Sequence, residues 1–273
     1  MKKSLSDSPN AALERYVIPN LRNACRTLKL LATSPDGFKA ADIARELKIP
    51  VTTTLRIMAT LQVEGYVRKV EGRFELGPVL IHLGNASLAG VEIRSAALPV
   101  LQKLTAESVE TSHLAIPCDD RALIVAVQDG PHPLRVASRP GYLADLHCSS
   151  TGKIFLAYLH YGRLTELFGR KTPQRRTALT QLTLEEIKRE ADLTRKRGYS
   201  FDNEEYHPGV RCVAAPVFSS DGTVVAAIGV TAAVVRFPKE RIAEIGALVN
   251  KAAAELAHSL GFDGRTHAAR TAR

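Results

Sequence analysis

Two groups of residues in this 273-residue chain carry side chains from which chemistry could be built. The first is Leu146-His147-Cys148-Ser149-Ser150-Thr151-Gly152-Lys153, where an imidazole, a thiol and a run of hydroxyls crowd together. A Cys–His pair, with His207 as a further imidazole, is the raw material of covalent catalysis. Adjacent residues on a strand point to opposite faces, however, so His147 and Cys148 are not expected to act as base and nucleophile. His113, His147, Cys148, His207 and Cys212 show none of the usual zinc spacings, so no metal is expected, and no cofactor. What the segment offers instead is a passage from strand to helix. Backbone N–H groups at a helix N-terminus attract an anion, and the hydroxyls of Ser149, Ser150 and Thr151 add donors for a carboxylate.

The second group is basic and hydroxylic: Thr52, Thr53, Thr54 and Arg56, then Arg68, Lys69 and Arg73. Hydroxyls suit phosphate oxygens or base edges, and an arginine forks onto a phosphate or a guanine edge. Taken singly, three threonines cap a helix and three basic residues on a hairpin are ordinary surface. Their placement on successive elements decides between the readings. Asn20 is the expected N-cap of a helix with Leu21, Ala24, Cys25, Leu28 and Leu31 on one stripe, ended by Ser34-Pro35-Asp36-Gly37. A second helix covers about 40–47, burying Ile43, Ala44 and Leu47. After a tight turn, a third runs from about Val51 to Glu64, with Leu55, Met58, Ala59, Leu61 and Gln62 expected inward and Gly65 as its stop. Residues 66–76 alternate around Glu71-Gly72, as a hairpin does. Helix, turn, helix and wing present Thr52, Thr53, Thr54 and Arg56 to a major groove of double-stranded DNA, and Arg68, Lys69 and Arg73 to the neighbouring backbone.

Pro78 opens a further helix to about residue 89, a connector, and beyond residue 93 the pattern changes. A helix at 93–108 is followed by short strands at 113–117, 122–128 and 134–138, helices at 151–160 and 184–196, strands at 209–217 and 223–231, and a last helix at about 239–260. This order predicts an α+β chain in which helices cover a sheet. The expected divisions are a tail at 1–17, a DNA-binding domain at 18–77, a linker helix at 78–91, a sheet domain at 92–262 and a tail at 263–273.

Composition agrees with a folded, water-exposed protein: 45% of residues are apolar and 24% charged. The longest run without charge or strong polarity, from Val224 to Val235, is shorter than the roughly 20 residues a bilayer requires, and Met1-Lys2-Lys3 leads into polar residues. Neither a membrane nor a signal peptide is expected, and the location is read as cytoplasmic. The 37 basic and 28 acidic side chains leave a net charge of +9, which suits a polyanionic partner.

The stretch from Ala40 to Gly84 resembles the winged helix-turn-helix of the IclR family of bacterial transcriptional regulators. The resemblance is carried by Ile43-Ala44-Arg45-Glu46-Leu47, by Pro50 to Arg56 and by Phe74-Glu75-Leu76-Gly77. It continues through Leu146 to Leu159 and through the segment Arg197 to Phe218, and covers about residues 19–262. The resemblance implies a C-terminal GAF-like α/β domain that binds a small organic acid, and a homodimer or dimer of dimers on DNA. By matching motifs it implies ligand contacts at Ser150, Thr151, Asp202, Cys212, Gly229 and Thr231. Several of these have plain structural readings as well: Thr151 as a helix cap, Cys212 as core beside Ala214, Asp202 as an Asx-turn. The chain departs from the family pattern at Val51, where lysine is frequent. It departs again at Ser150-Thr151, where small residues are usual and hydroxyls make a smaller, more polar pocket, and at Asn203, where an acid is common.

Three functions are compatible with these residues: a metabolite-responsive DNA-binding regulator, a DNA-binding head with a purely oligomerising sheet domain, and an enzyme built on His147, Cys148 or His207. The first absorbs the most residues.

Overall fold

A computed structural model of the chain describes residues 15–89, 92–169 and 172–262. Most of the expected N-terminal tail, the end of the linker helix at 90–91 and the C-terminal tail from 263 lie outside the described residues. The chain divides into two compact units between Gly90 and Val91.

The first unit holds α1 (Pro19–Leu31), α2 (Ala40–Leu47), α3 (Val51–Val63), the hairpin β1 (Val67–Val70) and β2 (Arg73–Leu76), and α4 (Val79–Ala89). Its core is Leu31, Ile43, Ile57, Met58, Leu61, Val67 and Phe74. Ile18, not Asn20, is the N-cap of α1, because Pro19 occupies the first turn, where a missing N–H costs nothing. Lys48 closes α2 with a left-handed φ of 56°, which turns the chain sharply into α3. Glu71 (φ 46°) and Gly72 (φ 79°) form the two-residue turn of the wing, so that Val70 pairs with Arg73.

The inward face of α3 differs from the expected one. Leu55 is 50% exposed, and Ala59 and Gln62 are exposed too. The buried stripe is Thr54, Ile57, Met58 and Leu61. Thr54 joins it because its hydroxyl donates to the Pro50 carbonyl at 3.2 Å and so enters the core satisfied. Thr27 does the same in α1, donating to the Asn23 carbonyl at 2.8 Å, which leaves Leu21 and Cys25 outside.

The second unit contains α5 (Glu92–Ser108), β3 (Thr111–Cys118), β4 (Arg121–Gln128), β5 (Leu143–Asp145), α6 (Ser150–Tyr158), the short α7 (Leu164–Phe168), α8 (Leu184–Arg197), β6 (Ser200–Asn203), β7 (Val210–Phe218), β8 (Val224–Ala233) and α9 (Ile242–Ser259). One antiparallel sheet runs in the order β5-β4-β3-β8-β7-β6. Helices α5 and α9 pack together against it, while α6, backed by α8, covers the face that carries Ala115, Ala214 and Ala227.

Residues 134–138 are not a strand. Pro131, Pro133 and Pro140 surround them, and proline cannot donate to a ladder, so the segment is an exposed loop with Leu134 at the surface. The strands β5 and β6, which sequence alternation did not reveal, take the two sheet edges instead. His147 and Cys148 lie in the turn after β5 rather than on a strand.

Candidate functional site

The site is built at the N-terminus of α6. Ser149 caps the helix: its hydroxyl accepts the Gly152 N–H at 3.1 Å and donates to the Asp145 carbonyl at 2.6 Å. Gly152 is required here, because a Cβ would stand 2.5 Å from the Asp145 oxygen and from the Leu146 Cα. The cap belongs to Ser149 and not to Thr151, so the Thr151 hydroxyl is not committed to the helix end. The first-turn N–H groups of Ser150 and Thr151 have no partner within the helix, as helix geometry dictates.

Between this helix end and the sheet lies a cavity of about 270 Å³. Ser149, Ser150 and Thr151 line one side. Asp202, Cys212 and Thr231 line another as direct neighbours across β6, β7 and β8. The next row in register on the same sheet face is Ser200, Ala214, Gly229 and His113. Ile124, Ala144 and Val210 supply apolar wall, and the loop residues Val136 to Arg139 stand at the rim with Tyr142, Tyr206 and His207. The Tyr142 and Tyr206 hydroxyls meet at 2.9 Å, and the Arg176 guanidinium lies over the Tyr206 ring.

The electrostatics follow from burial. Asp202 is 1% exposed, and desolvation lifts its carboxyl to about 7, opposed by the Lys153 charge and reinforced by Glu205. Its Oδ1 accepts the N–H groups of Glu205 and Tyr206 at 2.8 and 3.3 Å, so it forms the turn after β6 as well as facing the cavity. Burial drives His113 down to about 4, which leaves the imidazole neutral. Cys212 donates to the Thr231 hydroxyl at 2.9 Å, and burial raises its thiol above the ordinary range. Behind the cavity, Lys153 is buried against Glu205 at 2.5 Å and donates to the Phe201 carbonyl at 2.8 Å.

Of the expected ligand residues, Ser150, Thr151, Asp202, Cys212 and Thr231 thus surround one space. Gly229 is not among its lining residues; it sits beneath His113. Sequence reasoning missed His113, Tyr142, Tyr206 and Arg139 as part of the cavity. His113 was weighed only as a metal ligand, although its period-2 offset from Thr111 puts both on one sheet face. The meeting of the two tyrosines has no local signal at all.

The residues of the enzymatic reading are arranged otherwise. Cys148 is fully buried in the apolar cluster under α6, its thiol raised by burial. The His147 Nε2 bonds the Gln174 carbonyl at 2.9 Å, not a nucleophile. No group of three His, Cys, Asp or Glu side chains among the described residues is placed to hold a metal ion. No helix among them is long and apolar enough to cross a membrane.

In the first unit, Thr52 and Arg56 are exposed on α3 and Thr53 is half-buried. Thr54 is 1% exposed and faces the core, which removes it from any surface contact. On the wing, Arg68 pairs with its cross-strand neighbour Glu75 at 2.8 Å, Lys69 lies over the Phe74 ring, and the half-buried Arg73 reaches the Gly37 carbonyl at 3.4 Å.

The chain matches two family models, the IclR helix-turn-helix domain over residues 21–71 and the bacterial transcriptional regulator IclR C-terminal domain over residues 85–258. It is 32% identical to the transcriptional repressor IclR of Escherichia coli K12 over 248 residues, covering 89% of this chain and 90% of that protein. Among solved structures it is similar to an IclR transcriptional regulator from Alicyclobacillus acidocaldarius, with TM-score 0.77, 26% identity and coverage of 89% and 99% of the two chains. The fold is shared with an IclR homolog from Microbacterium hydrocarbonoxydans solved in complex with 4-hydroxybenzoate, with TM-score 0.73, 21% identity and coverage of 88% and 98%.

Proposed function

The chain belongs to the IclR family of bacterial transcriptional regulators and is a DNA-binding regulator of that type; on this premise we propose that its sheet unit binds a small organic acid that changes the affinity of the first unit for operator DNA. The observation that carries the reading is the cavity at the N-terminus of α6. Its volume of about 270 Å³ falls just under the roughly 300–1,000 Å³ typical of drug-sized ligand pockets, which suits a metabolite. The ligand carboxylate sits at the N–H groups and hydroxyls of Ser150 and Thr151, where helix dipole and donors coincide. Asp202, Cys212 and Thr231 hold the far end. The IclR homolog in complex with 4-hydroxybenzoate supports an acid as the class of ligand.

On the DNA side, α3 enters the major groove with Thr52, Thr53 and Arg56 outward, and Arg68, Lys69 and Arg73 of the wing approach the backbone. The active species is a cytoplasmic homodimer or dimer of dimers, so the operator is palindromic with half-sites about 34 Å apart. The ligand acts only through its differential affinity for the DNA-competent arrangement, with the helix around 79–91 as transmitter.

The test is a thermal-shift screen of the full chain against small carboxylates, followed by fluorescence anisotropy on its own promoter DNA with and without each hit. A ligand at 100 times its Kd adds about 2.7 kcal/mol, a readily visible shift. Loss of the shift in Thr151→Val with an unchanged baseline Tm supports the reading. Absence of salt-dependent binding to promoter DNA, or hits that leave DNA affinity untouched, overturns it.

A further inference from the structure

Helix α3 is apolar on two sides. Thr54, Ile57, Met58 and Leu61 face the core. Away from it, Val51 and Leu55 are each 50% exposed, and Ala59 and Val63 continue the row at four-residue spacing, all of them open to solvent. The side of a helix turned away from its core is ordinarily polar, so an exposed apolar row marks a contact. Beside it runs a second row, Thr52 and Arg56, both exposed. Within α3 there is no acidic side chain, and Arg56 is the only charge. The wing of the same unit exposes Arg68 and Lys69. A face without acids beside a basic hairpin is complementary to a polyanion.

One feature of a DNA major groove answers an apolar side chain. Guanine, adenine and cytosine present hydrogen-bonding nitrogen and oxygen atoms there, and valine or leucine would strip these of water without replacing the bond. Thymine presents its C5-methyl group. Val51 and Leu55 are one turn apart, about 6 Å along the axis at 1.5 Å per residue, against about 3.4 Å between successive bases of one strand. Both therefore reach methyl groups within two or three base pairs. Both also lie in the N-terminal half of α3, the part of a recognition helix that meets base edges. Resting on the reading that α3 enters the major groove, we propose that Val51 and Leu55 determine specificity by packing on thymine C5-methyl groups. Each operator half-site then carries thymine where these two side chains arrive.

The test uses the full chain and its own promoter DNA with deoxyuridine substituted at random for thymine. Uracil pairs as thymine does and lacks only the methyl group. Bound and free duplexes are separated and cleaved at uracil, and one or two positions in each half-site are expected to be depleted from the bound fraction. In duplexes carrying single substitutions at those positions, affinity falls about three- to fivefold per methyl group. Cytosine at the same position also weakens binding, and 5-methylcytosine, which returns the methyl group, recovers part of the loss. In Leu55→Ala or Val51→Ala the uracil penalty disappears at one of these positions, while in Arg56→Ala it persists. The readout is the ratio of affinities for thymine and uracil duplexes within one variant, so a reduced folded fraction cancels, and the 5-methylcytosine rescue needs no variant at all. Binding indifferent to uracil at every position overturns the inference, as does a penalty undiminished in both alanine variants. An equal loss on both duplexes in Leu55→Ala assigns the row to a protein contact and overturns it too. These results leave the DNA-binding reading standing, whereas absence of salt-dependent promoter binding overturns both.

Discussion

His113 on β3 and Gly229 on β8 face each other across the ladder, and a Cβ on the glycine would stand 3.0 Å from the imidazole Nε2 and 2.8 Å from the Val213 carbonyl oxygen. The glycine therefore sets where the imidazole lies. Gly229→Ala has to displace either the ring or the β7 backbone, and overpacking of this kind costs about 1–3 kcal/mol. Denaturant unfolding is expected to show that loss, together with weakened binding of any cavity ligand. An alanine variant with parental stability and affinity would mean that the ring moves freely and that the cavity wall is not fixed by this pair.

Asp202 gives the protein a pH dependence of unusual sign. Its carboxyl titrates near 7 when folded, against an ordinary 3.8. Between those values the folded chain keeps a proton that the unfolded chain has released. The contribution of Asp202 to stability is therefore full below about pH 4, declines as pH rises towards 7, and is level above that. Asp202→Asn retains an oxygen for the two turn amides and removes the ionisation. Its stability relative to the parent is expected to rise between about pH 4 and 7 and to level off above that, by on the order of a few kcal/mol in all. Urea unfolding across that range measures it, and a difference that stays flat would mean that the folded carboxyl is ionised throughout.

These positions also show what the chain reveals before folding. The three-helix head and its wing are legible because each element carries its own local signal: the period of the helices, Lys48 to Pro50 as a turn too short for anything else, Glu71-Gly72 at the hairpin. The inward face of α3 was misread because threonine counts as polar in a pattern, while Thr54 hides its hydroxyl on the Pro50 carbonyl. The strand expected at 134–138 rested on apolar content and ignored prolines at 131, 133 and 140, and polar β6 was passed over for the converse reason. In the cavity, Ser150 and Thr151 were read directly as a strand-to-helix anion site. Asp202, Cys212 and Thr231 came from motif resemblance, since cross-strand neighbours 10 and 19 positions apart leave no local trace. His113 was out of reach for the same reason, its partner lying on β8.

Lys153 is expected to be the most sensitive charged residue of the second unit. Its ammonium is buried between Glu205, at 2.5 Å, and the Phe201 carbonyl, with Glu190 at 3.9 Å. Burial raises the Glu205 carboxyl, and its Oε2 has no partner among the described residues. Removing the lysine alone leaves an uncompensated carboxylate, a loss of about 3–5 kcal/mol in comparable buried pairs. Lys153→Met should therefore cost much more than the double variant Lys153→Met/Glu205→Leu, in which no charge is stranded. Equal losses in the single and double variants, read by chemical denaturation, would show that the ammonium acts through packing alone.

The outward face of α3 separates two roles that its sequence runs together. Arg56 is exposed and Thr54 faces the core, so they should fail differently. Arg56→Ala is expected to weaken promoter binding by about 1–3 kcal/mol. If Arg56 holds a phosphate, the salt slope of log K also falls by about one and the loss is uniform across sequences. If it reads a base, the slope is unchanged and one operator position becomes degenerate. Thr54→Val keeps the shape and removes only the hydroxyl bond, since the Pro50 carbonyl still accepts the Thr54 N–H at 2.9 Å, so it should cost no more than about 1 kcal/mol of folding stability and leave DNA affinity at equal folded concentration near that of the parent. On the wing, Glu75 pairs with Arg68 and brings a negative charge to the surface proposed to meet phosphates. Glu75→Gln should accordingly tighten DNA binding, more at low salt than at high. Anisotropy titrations at several salt concentrations read all three variants. Weakened DNA binding by Thr54→Val at parental stability, or no effect of Glu75→Gln at any salt, would place the DNA on a different face of this unit.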